Sequence, residues 1–185
     1  MKKPTSATGL DIGSYSVKCV EMSHTKDAIE LHRVTILPLP GISKLPDVLK
    51  AMDLQGAKHV RISVSGPSVL VRRITLPLMT PAELKGAIRF EAESHIPFPI
   101  DDCILDSQIL NQPDKKTMNV MIVAAKKEFI RSRLKVLEDL DVHPELIDMD
   151  IFCLLNVFEV LKEKIEEKSY GLLNIGHNLS SFAIA

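Results

Sequence analysis

A carboxylate, a glycine, three hydroxyls and a lysine lie close together near the start of the chain, in Leu10-Asp11-Ile12-Gly13-Ser14-Tyr15-Ser16-Val17-Lys18. Gly13 lets the backbone approach a phosphate without a Cβ in the way, and N–H groups around Ser14 can bind an anion. Asp11 would act through a magnesium ion and its waters, and Lys18 would add positive charge against the phosphates. We therefore predict a phosphate site made of Asp11, Gly13, Ser14, Tyr15, Ser16 and Lys18, with Asp11 near the metal ion.

A surface hairpin whose glycine only permits the turn is the alternative explanation of this motif. A similar pattern at the other end of the sequence, Leu172-Leu173-Asn174-Ile175-Gly176-His177-Asn178, favours the phosphate interpretation. Two such hairpins facing each other across a cleft resemble the phosphate-binding site of the superfamily of actin, sugar kinases and heat-shock ATPases. The second group of candidate ligand-binding residues is then Asn174, Gly176, His177 and Asn178.

The elements that must position these residues follow from turn signals and from the period of the apolar residues. Strands are predicted over residues 8–12, 16–22, 29–37, 59–65, 69–76, 103–110, 118–125, 145–149, 170–175 and 179–184. A short helix starts at Ser43 or Pro46 and is closed by Gly56, as a glycine past a helix end often does. A capping box, Thr80-Pro81-Ala82-Glu83, starts a second helix that ends at Ile96-Pro97. Two further helices are predicted over residues 126–140 and 151–165.

Composition bounds the class of protein. The 185 residues are 45% hydrophobic and 25% charged, which is the balance of an ordinary globular protein. The formal net charge of −1 gives no basic footprint for nucleic acid. Three widely spaced cysteines without a CxxC pair indicate neither a disulfide framework nor a thiolate zinc site, and fit a reducing, cytoplasmic setting. No apolar run approaches the roughly 20 residues of a membrane span, so we expect no direct membrane insertion.

Several segments resemble the PilM family of type IV pilus assembly proteins. They are Val64-Ser65-Gly66, Val71-Arg72-Arg73-Ile74-Thr75-Leu76-Pro77-Leu78-Met79, Phe90-Glu91-Ala92-Glu93-Ser94-His95-Ile96-Pro97-Phe98-Pro99 and Val123-Ala124-Ala125-Lys126. The resemblance implies an α/β, actin-like (ribonuclease-H-like) first domain with an inserted strand–helix–strand–strand subdomain, shared with the division protein FtsA. The actin-like subdomain would comprise residues 1–67 and 143–168, the insertion residues 68–142, and a truncated second domain would begin with a hairpin at 169–185.

The resemblance also implies a function. A PilM-like protein would be a scaffold on the cytoplasmic face of the inner membrane, reached through partner proteins. It would bind the N-terminal tail of a PilN-like membrane protein in a groove between the large subdomain and the insertion, with self-association left open. It would bind ATP and magnesium when full length, whereas no bound cofactor is expected for this chain alone, because the adenosine-binding half would follow Ala185.

One departure from the family pattern and three alternatives bear on this interpretation. The second phosphate motif of such proteins usually begins with Asp, but Asn174 stands there, and an amide supplies no charge to hold magnesium or orient water. At most weak ATPase activity is expected, and none from this chain alone. An FtsA-like division protein and a small-molecule kinase of the same superfamily are the alternatives, and a gene fragment without function is a third. Phe98, on a rigid proline corner, could contact a peptide or plug the space between subdomains.

Overall fold

The computed structural model describes residues 5–25, 28–54, 56–161 and 169–184. The chain divides into two compact units. The first unit comprises Met1–Ser65 and Leu134–Ala185, and the second comprises Gly66–Arg133. The three-part domain division drawn from the sequence stays a prediction.

The described residues form ten strands and four α-helices, and two short 3-10 helices cover Ile42–Lys44 and Ile100–Asp102. Numbered in chain order, they are β1 Thr5–Ile12, β2 Ser16–His24, β3 Ile29–Pro38, α1 Leu45–Ala51, β4 Val60–Val64, β5 Val69–Pro77, α2 Pro81–Glu93, β6 Cys103–Asn111, β7 Thr117–Lys126, α3 Lys127–Glu138, β8 Leu146–Met149, α4 Asp150–Leu161, β9 Gly171–Ile175 and β10 Ser180–Ile184.

The first unit contains a five-stranded sheet in the order β3-β2-β1-β4-β8. β1, β2 and β3 are antiparallel neighbours, whereas β4 runs parallel to β1 and β8 runs parallel to β4. Parallel strands end at the same edge of a sheet, and the register places Asp11 beside Ser63 and Ser63 beside Asp148. The sheet therefore brings three polar side chains into one row at that edge.

Alternation along β2 explains how the first unit builds its core. Val17 and Cys19 are almost fully buried, while Ser16 and Lys18 between them stay partly accessible. Period-2 alternation of this kind is what a strand with one buried face requires. The buried side chains pack with Leu49 of α1, so the first hairpin is fixed by the main core of its unit.

The second unit is a three-stranded antiparallel sheet, β5-β7-β6, with its own core. The central strand β7 buries four residues on the side of that core, Met118, Val120, Ile122 and Ala124. The predicted capping box is confirmed: Thr80 accepts a bond from the Glu83 backbone N–H, and the Glu83 carboxylate accepts one from Thr80.

The predicted boundaries of α2, α3 and α4 differ from the structure. The helix expected to reach Ile96 ends at Glu93, because residues 94 and 95 turn before Pro97. The helix predicted over 126–140 covers 127–138, and the chain leaves it through Asp141 at a positive φ of 58°. The helix predicted over 151–165 begins one residue earlier at Asp150, and residues 162–165 lie outside the described residues.

Phe98 packs against the core of the second unit itself. Its ring lies under the Lys126 ammonium group, 4.4 Å from the ring centre, a cation–π contact that covers part of the ring face. Both groups belong to the second unit. These contacts give Phe98 a role within its own unit.

β9 and β10 form a separate two-stranded antiparallel sheet. One of its faces carries large apolar side chains that are mostly exposed, namely Leu173, Ile175, Phe182 and Ile184. Within the first unit, the hairpin contacts helix α4. An isolated two-stranded hairpin has marginal stability in water, so this hairpin depends on its contacts outside the strand pair.

Candidate functional site

The first candidate loop, residues 13–16, is a tight four-residue turn between β1 and β2. Ile12 and Val17 are the last paired residues before it, and the Gly13 N–H donates to the Ser16 carbonyl at 3.1 Å. A Cβ on Gly13 would lie 2.9 Å from that carbonyl oxygen. The hairpin itself therefore requires the glycine, a different reason from the phosphate approach expected from the sequence.

Asp11 lies one residue before the end of β1 and already has two partners. The Lys18 ammonium group donates to Oδ2 at 2.7 Å, and the Ser63 hydroxyl donates to Oδ1 at 3.3 Å. The Asp11 and Lys18 side chains are each 43% exposed. An ammonium group has three N–H donors, so Lys18 keeps two of them for another acceptor while its ion pair with Asp11 stays intact.

The second candidate loop, residues 176–179, repeats the first in backbone geometry. Ile175 and Ser180 are the flanking pair, and the Gly176 N–H donates to the Leu179 carbonyl at 2.9 Å. A Cβ on Gly176 would lie only 2.5 Å from that carbonyl oxygen. The pattern shared by the two sequence motifs thus corresponds to one turn geometry, formed twice.

The two loops contact each other at their tips. The rings of Tyr15 and His177 are stacked, with centroids 4.9 Å apart and an interplanar angle of 29°. Both residues belong to the first unit. The structure thus brings the two groups of candidate residues together, although their role in ligand binding stays a prediction.

Each loop carries backbone N–H groups at its tip that the hairpin does not use. Within the described ranges, Ser14 and Tyr15 donate no backbone hydrogen bond, and neither do His177 and Asn178. Unused N–H groups in tight turns form the concavities that bind anions. Four donors at two touching tips are therefore the feature of this region best suited to phosphate.

Asn174, at the position that corresponds to Asp11, lies beside a carboxylate that the sequence motifs did not indicate. Its Nδ2 is 3.5 Å from Oδ2 of Asp150, the first residue of α4, and Oδ1 of Asp150 accepts from the Ile151 N–H at 2.7 Å. A negative charge therefore lies next to Asn174 even though residue 174 is uncharged.

Ser63, Asp148 and Asp150 are the polar residues that sequence reasoning missed. A usable signal existed, because each lies at or just after the carboxyl end of a parallel strand, the edge at which α/β sheets place their ligands. Burial raises the pKa of Cys153 to about 11, and the charges of Asp148, Asp150 and Asp11 add smaller contributions in the same direction. Three carboxylates therefore lie close enough to the Cys153 thiol to disfavour its thiolate.

The carboxylates do not form a cage for a metal ion. Across the described part of the chain, no three His, Cys, Asp or Glu side chains form a group that could hold one. A magnesium ion here would take most of its ligands from water and phosphate, which is the coordination it usually has in nucleotide sites. Asp11 acting through water stays compatible with this arrangement.

Among the helices formed by the described residues, none is long and apolar enough to cross a membrane.

The sheet order and the two glycine loops define the class of the protein. An antiparallel β1-β2-β3 ribbon, extended by parallel β4 and β8 and with a small α+β unit inserted in the chain after β4, is an actin-like fold. The family model of the type IV pilus assembly protein PilM matches residues 9–185. The chain belongs to that family.

Solved structures agree with this assignment. A PilM-PilN type IV pilus biogenesis complex contains a chain that is 25% identical, with a TM-score of 0.82 over 96% of this chain. This chain spans 57% of the length of that relative. The cytoplasmic domain of EpsL, an inner membrane component of the type II secretion system of Vibrio cholerae, matches with a TM-score of 0.59. It is 12% identical and the match covers 97% of this chain and 71% of that one, so it supports the fold alone.

Proposed function

We propose that the protein is a scaffold of type IV pilus assembly that binds Mg-ATP between its two glycine loops. We further propose that it binds the cytoplasmic N-terminal tail of a PilN-like inner-membrane protein. Membership of the PilM family over residues 9–185 supports the process. The observation that carries the nucleotide proposal is that two glycine loops with the same turn hydrogen bond meet at their tips, each with backbone N–H groups that the hairpin does not use.

The phosphate groups would be bound mainly by the backbone. The N–H groups of Ser14, Tyr15, His177 and Asn178 supply neutral donors, and the Lys18 ammonium supplies positive charge. Lys18 can serve phosphate without abandoning Asp11, because it has two further N–H groups. This arrangement would bind the polyphosphate part of the nucleotide.

Magnesium would be held through its waters by Asp11 and by the phosphates. The donor set fits that role, since the Asp11 carboxylate is partly exposed and is fixed by Ser63 and Lys18. When bound, magnesium neutralises phosphate charge. Asp11, fixed by Ser63 and Lys18, would orient the hydrated ion, and the two glycine loops would lie on either side of the phosphates.

We expect the protein to hydrolyse bound ATP slowly at most. The Asn174 amide is nonbasic and takes no proton from an attacking water. The neighbouring Asp150 carboxylate already accepts from the Ile151 N–H and faces Asn174. In this proposal, nucleotide tunes which partners the scaffold holds, and turnover is incidental.

Asp11→Ala in the full-length protein tests the nucleotide site. We expect Mg-ATP affinity to fall about tenfold or more, because the variant removes the carboxylate beside the metal and leaves Lys18 unpaired. Isothermal titration calorimetry with and without magnesium measures the change. Asp47→Ala, which removes another exposed carboxylate paired with a lysine in the first unit, is the matched control. Wild-type affinity in Asp11→Ala would remove Asp11 from the site.

The partner is tested by titrating a synthetic peptide that copies the cytoplasmic N-terminal tail of the PilN-like protein. Saturable binding to this chain, lost when the peptide is scrambled, is the expected result. Binding to the full-length protein alone would mean that the site needs residues beyond this chain. Binding to neither would overturn the partner assignment and favour the FtsA-like alternative.

A further inference from the structure

The side-chain rings of Tyr15 and His177 take no part in the proposed phosphate contacts, which use backbone N–H groups of the two loops. Each residue lies at the tip of a glycine loop, and Tyr15 is 61% exposed. An exposed tyrosine at a turn tip is free to point into water, yet its ring stacks on the imidazole of the other loop. The contact therefore links two elements that are separate in sequence and belong to different sheets.

The stack leaves no room for a phosphate between the two rings. A centroid separation of 4.9 Å is van der Waals contact for stacked rings. A phosphate bound by N–H groups from both loops needs about 3 Å between each nitrogen and a phosphate oxygen. A phosphate group that enters between the two tips to reach N–H groups of both loops therefore has to displace the ring contact.

We infer that the Tyr15–His177 stack is a latch that closes the space between the tips of the two glycine loops. The latch opens when phosphate groups enter. This inference rests on the proposed nucleotide site and adds a step to it. Opening requires no strand to unfold, because both side chains are at exposed turn tips and either ring can rotate into water.

The second hairpin makes opening by a shift of the whole loop feasible as well. Its outer face is exposed at Leu173 and Phe182, so little packing among the described residues resists movement on that side. The first hairpin, in contrast, is fixed by Val17 and Cys19 in the core. The loop of residues 176–179 is therefore the moving part and the loop of residues 13–16 the fixed part.

The first test measures rates. Stopped-flow mixing of the full-length protein with a fluorescent ATP analogue and magnesium gives the association rate constant. We expect Tyr15→Ala and His177→Ala each to raise it about two- to tenfold, the range set by the strength of an aromatic pair. The double variant should equal the single variants, because either change opens the latch. Tyr15→Phe, which keeps a ring, should raise the rate less than Tyr15→Ala.

Phe90→Ala is the matched control, since Phe90 is an exposed aromatic residue in the second unit, and it should leave the rate unchanged. A lower rate in Tyr15→Ala and His177→Ala would assign these rings to ligand contact and overturn the latch. Unchanged rates would also overturn it, with the nucleotide site left standing. If neither the wild type nor any variant binds the ATP analogue, both the nucleotide site and the latch are overturned.

The second test needs no ligand at its first step. The Tyr15 ring current should shift the NMR resonances of the His177 ring protons upfield. These resonances are assigned as the ones that disappear from the spectrum of His177→Ala. The shift should vanish in Tyr15→Ala and, in wild type, on saturation with Mg-ATP. If the upfield shift is absent before Mg-ATP is added, the latch is overturned, whether or not the protein binds nucleotide. If the shift remains when calorimetry shows that the protein is saturated with Mg-ATP, the latch is overturned as well.

Discussion

The two glycine loops share one backbone geometry but lie in different surroundings. Residues 13–16 join two strands of a five-stranded sheet, and Val17 and Cys19 beside them are almost fully buried. Residues 176–179 join the strands of a two-stranded sheet, and Ile175 and Phe182 are mostly exposed. A turn motif therefore specifies a local hydrogen bond and a required glycine, while the stability of the loop is set by what its strands pack against.

The charges of the two hairpins differ at the corresponding register position. In the first, Asp11 lies opposite Lys18 and forms an ion pair with it. In the second, Asn174 lies opposite Ser181, so this pair carries no charge. The first hairpin therefore has an ion pair next to its loop, whereas the second has an uncharged residue pair there and lies beside helix α4. This contrast explains why the proposed metal contact belongs to the first hairpin alone.

The largest expected difference between the hairpins is in amide hydrogen exchange. Amides of β1 and β2 should exchange only on global unfolding, whereas those of β9 and β10 should exchange by local opening. We expect protection to differ by about a thousandfold or more, which corresponds to roughly 4 kcal/mol. Exchange followed by NMR or mass spectrometry measures it.

Amides of the central strand β7 provide the internal control, since this strand is paired on both sides and carries buried residues. They should show strong protection like those of β1. Equal protection of both hairpins in this chain would contradict the comparison and show that the second hairpin is held by the main core.

Glycine substitutions separate the turn requirement from the stability of each hairpin. Gly13→Ala should lower the free energy of unfolding by about 1–3 kcal/mol, because the Cβ meets the Ser16 carbonyl at 2.9 Å. In Gly176→Ala the added Cβ would lie 2.5 Å from the Leu179 carbonyl oxygen. This substitution should nevertheless lower the global free energy of unfolding less, because it destabilises a hairpin that opens locally. Chemical denaturation followed by circular dichroism measures both.

Gly86→Ala is the matched control for these substitutions. Gly86 lies inside α2 and nothing is within 4 Å of an added Cβ. It should stabilise the protein by about 0.5–1 kcal/mol, because glycine weakens a helix interior. Destabilisation by Gly176→Ala as large as that by Gly13→Ala would mean that both hairpins unfold as one cooperative unit.

Sequence reasoning predicted the parts of this molecule that local signals determine. The capping box at Thr80 and Glu83 and the two glycine loops depend on residues a few positions apart, and the structure contains all of them. The row formed by Asp11, Ser63 and Asp148 depends on strand register between segments far apart in sequence. Two parallel pairings set that register, and no single segment encodes it.

The position of Asp150 was missed for a related reason. It begins α4 and reaches Asn174, which is 24 residues later. The sequence motif marked residue 174 as the position where a carboxylate was missing, but it could not show which other segment brings one there. The apolar alternation in β9 and β10 predicted two strands, but such a pattern does not show whether another element covers their apolar face.

The smallest expected effect is in the titration of Cys153, whose pKa depends on Asp11, a charge of the first hairpin. Burial, then Asp148, Asp150 and Asp11, raise its pKa to about 11 from the usual 9.0. Asp11→Asn should therefore lower the pKa of Cys153. Asn174→Asp adds a carboxylate next to Asp150 and should raise it. The pH dependence of alkylation by iodoacetamide, followed peptide by peptide in mass spectrometry, measures both.

The raised pKa of Cys153 also predicts the direction in which the free energy of unfolding changes with pH. Its folded pKa lies above the usual thiol value, so the folded state binds the proton more tightly between about pH 9 and 11. This contribution is complete below pH 9 and is lost as the pH rises through 11. Cys103, whose pKa burial also raises, belongs to the second unit and is the internal control. If neither substitution changes the pKa of Cys153, then burial, Asp148 and Asp150 set it, and the charge difference between the two hairpins does not affect α4.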